Sequence, residues 1–114
     1  MTEPRLKTRL WVQAALRRCL MENIAAVVAA RGDDNAGAVL VKLNRGAAGC
    51  EVFCQVRDAA GNPAWLCATG VQPVPEDRAD SYVARARDVD CDLWVIEVDD
   101  RAGRLPFLEN VLER

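Results

Sequence analysis

The sequence predicts an α+β domain: a mainly antiparallel sheet of four to five strands with two helices packed on one face, in the order helix, four strands, helix, strand. Three observations carry this. Apolar residues recur at helical spacing in two stretches, one early and one late. Between them lie short β-branched runs separated by clusters of Gly, Asp, Asn and Pro. Finally, the strands are grouped rather than alternating with helices, which disfavours a parallel sheet built from strand–helix–strand units. A chain of 114 residues with no repeat or linker is one domain, 1–114. It is long enough to bury about two-thirds of its unfolded surface.

Residues 8–22 form the first helix. Val12, Ala15, Leu16, Cys19 and Leu20 make one apolar stripe, with Arg9, Gln13 and Arg17 opposite. Thr8 is the expected N-cap, and Asn23 tolerates the left-handed turn that stops a helix. Residues 24–30 read either as more helix, through their alanines, or as a strand. The following Arg31-Gly32-Asp33-Asp34-Asn35-Ala36-Gly37 favours a strand over 25–31, joined to the next by a hairpin. Clearer strands follow at 39–44, 50–57 and 64–69. The turn Asp58-Ala59-Ala60-Gly61-Asn62-Pro63 separates the last two. Pro75 then opens the second helix, with Glu76 and Asp77 at its positive dipole end and Arg85 and Arg87 at the other. Ala79, Tyr82, Val83 and Ala86 give its apolar stripe, and it stops near Asp88. A last strand spans 93–98, after which Phe107 and Leu108 pin the tail to the core.

Composition excludes several functions. The net charge of −2 gives no global field for nucleic acid or membranes. No apolar run approaches the ~20 residues of a membrane span. The opening Met1-Thr2-Glu3-Pro4-Arg5, followed by Lys7 and Arg9, reads as no signal peptide, so a cytoplasmic location is expected. Five cysteines in such a chain do not form a secreted disulfide framework. Histidine is absent, which removes Ser-His and Cys-His catalysis and the commonest zinc ligand.

Several constellations remain. Cys50 and Cys54 share one face of their strand. If Asp58 opposes Pro63 across the turn, Cys54 faces Cys67, and the thiols cluster as a redox pair or soft-metal site. Only three cysteines converge, too few for zinc, and a one-residue slip separates them, so core packing is the preferred reading. Asp33 and Asp34 offer oxygens to a cation, yet lack the spacing of a calcium loop; a plain turn is preferred. Glu97, Asp99 and Asp100, with Asp90 and Asp92, read as a charged strand end rather than a catalytic carboxylate pair. Lys7, Arg9, Arg17 and Arg18 can touch phosphates, but 5% aromatic residues leave little for base stacking. Trp11, Trp65 and Trp94 sit in apolar patterns and read as core anchors.

Leu10-Trp11-Val12 with Arg17-Arg18, the stretch from Arg31-Gly32-Asp33 through Gly37-Ala38-Val39-Leu40-Val41-Lys42, and Asp92-Leu93-Trp94-Val95 with Glu97 together resemble a family of short alphaproteobacterial proteins classed as a domain of unknown function. The resemblance covers nearly the whole chain and implies a bacterial cytoplasmic setting. It carries no activity, cofactor or catalytic residue across. The expectation is a small binding or protein-interaction domain without catalytic activity or cofactor, partnered by another protein or by a second copy through a sheet face or edge. One alternative is a small enzyme or ligand binder whose Arg17, Arg31, Asp33, Lys42 and Glu97 converge in one pocket. Another is a weak nucleic-acid contact through the basic first helix.

Overall fold

The computed structural model describes residues 6–112; Met1–Arg5 and 113–114 lie outside it. The elements are α1 (Thr8–Met21), β1 (Ala25–Ala30), β2 (Val39–Asn44), β3 (Cys50–Arg57), β4 (Pro63–Cys67), α2 (Glu76–Val89) and β5 (Trp94–Asp99). They form one five-stranded sheet in the order β1-β5-β2-β3-β4. Three of the pairings are antiparallel, and β2 with β5 is parallel. The expected α+β class and element order hold.

Two features differ from expectation. The helices cover opposite faces. Val12, Ala15 and Cys19 of α1 pack on Val41, Leu43, Phe53, Ile96 and Val98. On the other side Ala79, Tyr82, Val83 and Ala86 of α2 pack on Leu40, Val52 and Val95. The central strands are therefore buried on both sides. Val39, Leu40, Val41, Lys42 and Leu43 are all buried in succession, the unbroken pattern of a doubly covered strand. Each fully buried Phe, Leu or Ile here contributes about 1.5–3 kcal/mol of transfer free energy.

Second, β1 and β2 do not form a hairpin, because β5 lies between them. The loop joining them must cross the start of β5. There the Asp33 amide donates to the Asp92 carbonyl at 3.0 Å. A Cβ on Gly32 or Gly37 would collide with that carbonyl, so these glycines are required by close approach rather than by a tight turn.

Local signals explain the remaining boundaries. Asn23 has φ 57° and ends α1 as its sequence indicated. The N-cap is Lys7, not Thr8; the Thr8 hydroxyl instead donates to the Gly37 carbonyl at 2.8 Å and ties α1 to the loop. Pro75 precedes α2 as its cap residue, and Glu76 and Asp77 occupy the first turn.

Candidate functional site

The five residues singled out from sequence do not converge in one pocket. Lys42 and Glu97 meet on the α2 face, where β2 and β5 pair them side by side. Arg31 and Asp33 sit in the loop after β1, and Arg17 lies on the exposed face of α1.

Lys42 is the most constrained of the five. Its ammonium donates to Glu76 Oε2 at 2.8 Å and Asp80 Oδ1 at 2.7 Å. Glu97 Oε1 lies 3.4 Å away. The side chain is only 6% exposed, whereas Glu76 and Asp80 are about half exposed. Burial opposes its charge, but the bonds to Asp80 and Glu76 and the charge of Glu97 outweigh it and raise the pKa above the usual lysine range. An amine held protonated in this way is neither base nor nucleophile. Asp80 was not singled out from sequence, and Glu76 was read only as a charge at the helix dipole, not as a partner of Lys42. They lie one helical turn apart, which was the available signal, but which strand they faced depended on the sheet order.

The loop residues hold the loop. Asp33 Oδ2 accepts the amides of Asn35 and Ala36 at 3.1 and 2.8 Å, an Asx turn. The Asp33 carbonyl accepts from the Trp94 indole at 2.7 Å. Arg31 pairs with Asp34 at 3.1 Å and lies 5.6 Å over the Trp94 ring. Arg87 clamps the same corner through the Arg31, Cys91 and Leu93 carbonyls.

The thiol pair weighed against core packing does not form, and the packing reading is the one the register favours. Arg57, not Asp58, opposes Pro63, which moves the β3–β4 register by one residue. Cys67 therefore faces Phe53 in the α1-side core, and Cys54 faces Leu66 on the α2 side. Burial pushes the Cys54, Cys50 and Cys19 thiols up, which makes them inert packing groups. All five cysteines are free. A further buried polar residue escaped the sequence reading: Glu51 is 1% exposed on the α1 side, with the Cys67 thiol 3.8 Å from its Oε2. Its shared parity with Phe53 along β3 was the clue. Among the described residues no group of three His, Cys, Asp or Glu side chains forms a metal site, and no helix is long and apolar enough to cross a membrane.

The two edges of the sheet differ. The β4 edge is closed by the tail: the Trp65 amide donates to the Asn110 carbonyl at 3.0 Å, and the Leu112 amide to the Trp65 carbonyl at 2.8 Å. Trp65 in turn stacks on Trp11. The β1 edge has no such cover among the described residues, and its backbone bonds run only to β5. Val27 and Val28 are exposed on it, at 59% and 38%. The strand carries no charged side chain, the usual guard of a free edge. Its register shifts between Val28 and Ala30, leaving Ala29 as a bulge. Alongside runs α1, and between them lies a cavity of about 350 Å³ bounded by Arg9, Leu16, Val28, Arg31 and Trp94.

Comparison with known proteins agrees with this architecture. A DUF1491 family protein of Caulobacter crescentus, solved by crystallography, is 38% identical; the match covers 95% of this chain and 100% of that one, with a TM-score of 0.84. Its counterpart solved by NMR gives 37% identity, 97% and 100% coverage, and a TM-score of 0.82. A protein of A. tumefaciens solved in solution shares the fold, at 22% identity, 97% and 100% coverage and a TM-score of 0.75. No curated protein matches the chain. The family model described as protein of unknown function (DUF1491) matches residues 6–108. The resemblance drawn from sequence is therefore met, and the chain belongs to the DUF1491 family.

Proposed function

We propose that this domain is a non-catalytic protein-interaction module of the bacterial cytoplasm, which receives an extended segment of a partner as an added strand on β1. The carrying observation is the contrast between a β4 edge sealed by the tail and a β1 edge left open and apolar. Strand addition is a common recognition mode, in which main-chain bonds supply affinity and alternate side chains supply specificity. The side chains support a binding role over catalysis. Lys42 is locked by three carboxylates, three thiols are raised by burial, and histidine is absent.

Site-specific photocrosslinking in a bacterial host tests the reading. A benzophenone side chain at Val27 should trap a discrete partner, whereas the same group at Leu66 on the sealed edge should not. Equal trapping at both positions, or none at either, would overturn it.

A further inference from the structure

Resting on that strand-addition reading, we infer that the segment received is an extended peptide in which acidic side chains alternate with apolar ones. A strand added to β1 projects alternate side chains to the two faces of the sheet. On the α1 side they enter the cavity whose floor is Val12, Leu16 and Trp94, whose wall is Val28, and whose rim carries Arg9 and Arg31. Arg9 makes no ion pair among the described residues, and Arg31 has only an exposed one with Asp34. Arg17, two turns along α1 from Arg9, has none either. A glutamate reaching this rim lays its methylenes on Val28 and Leu16 and its carboxylate against a guanidinium.

The other face asks for the opposite chemistry. Val27 pairs with Glu97, and both lie on the α2 side. A second carboxylate there would meet the Glu97 charge and, beyond it, Glu76 and Asp80 around Lys42. An apolar side chain instead covers Val27, which is 59% exposed. The two faces thus specify one alternating pattern.

A second copy does not supply it. Its β1 is Ala-Ala-Val-Val-Ala-Ala, with no carboxylate for Arg9 or Arg31. Two-fold pairing of the edges would also bring both basic α1 helices to one side of the joined sheet. Nucleic acid offers phosphates, but its bases need free aromatic faces. Trp65 and Trp94 are buried and Trp11 is stacked on Trp65.

The test is selection of random short peptides displayed on phage against the intact domain and against its Arg9→Glu/Arg31→Glu variant. Selected peptides are then checked by amide NMR shifts along β1. The native domain should enrich Asp and Glu alternating with apolar residues. The variant should bind those peptides about tenfold more weakly and enrich Lys and Arg at the same positions. Peptides that bind β1 with no acidic preference would sink the inference and leave strand addition standing. Failure to select any peptide that shifts β1 amides would overturn both. Displacement of a selected peptide by an oligouridylate of matched charge would overturn the peptide assignment in favour of nucleic acid, and concentration-dependent pairing of β1 with itself would do so in favour of a second copy.

Discussion

At one side of the sheet, β4 is sheltered by residues 110–112, which bond to both backbone groups of Trp65. At the other, β1 ends the sheet with alanines and valines facing solvent. Closing the first edge takes a left-handed Asn110, at φ 54°, and its side-chain bonds to the Asp58 carboxylate and the Pro63 carbonyl, at 2.9 and 3.0 Å. Among the described residues no equivalent device protects the second. A protein that shields one edge by such specific means, yet leaves a neutral apolar strand at the other, concentrates its capacity for strand pairing at a single place.

The comparison breaks most severely at its anchor. Trp65→Ala removes a buried ring stacked on Trp11 at 5.8 Å and loosens the sealed edge. It should lower stability by about 3–5 kcal/mol, read as a fall in the urea midpoint. Next comes Lys42→Met, which separates the open edge from the charge cluster beside it. Three carboxylates then lose their shared cation. The loss should be about 1–2 kcal/mol at neutral pH, held down by the exposure of Glu76 and Asp80. Trapping at Val27 should be unchanged. The pH dependence has a definite sign. Because the folded lysine pKa is raised, its contribution is full below the unfolded value of about 10.4 and is lost as pH rises through the folded value. On the alkaline side, the gap between parent and variant should therefore close as pH rises through the folded lysine pKa.

Asn110→Ala should act more gently, by unpinning the tail. The Asp58 carboxyl is held below the usual range first by the Asn110 amide and then by backbone amides, including that of Asn62. Its contribution is present above the unfolded pKa and lost as pH falls through the folded value. The variant should move the Asp58 titration upward by NMR and reduce hydrogen-exchange protection of the Trp65 and Leu112 amides. A protected Trp65 amide in this variant would show that the edge closes without its pin. The smallest effect on stability belongs to Val28→Glu, within about 0.5 kcal/mol. Its new carboxylate lies by Arg9 and Arg31, and acidic peptides should no longer bind the edge.

Local signals made most elements legible. Asn23, Pro75, the 58–63 turn and the β-branched runs each act within a few residues. What escaped were relations between distant segments. The helix faces could have been read from the unbroken apolar run Val39-Leu40-Val41, which signals cover on both sides. Insertion of β5 between β1 and β2 had no local signal, since a Gly- and Asp-rich loop serves a hairpin and a crossing equally well. The thiol pair failed on register alone: one residue at the 58–63 turn sends Cys54 and Cys67 to opposite faces. Of the candidate residues, Lys42 with Glu97 formed a true contact. Arg31 proved to border the open edge, and Arg9, read from sequence as a phosphate contact of the basic helix, borders it too.

If a partner strand adds to β1 as proposed, the bulge at Ala29 limits how long it stays. Beyond it the alternation of backbone donors and acceptors is reset, so an incoming strand pairs in phase with only the short stretch before it. Each main-chain bond contributes about 1 kcal/mol net. A ladder that brief favours rapid exchange, with dwell times set by side chains more than by the backbone. On that reading the edge suits turnover of partners, and the same interruption opposes growth into a permanent, aggregating sheet.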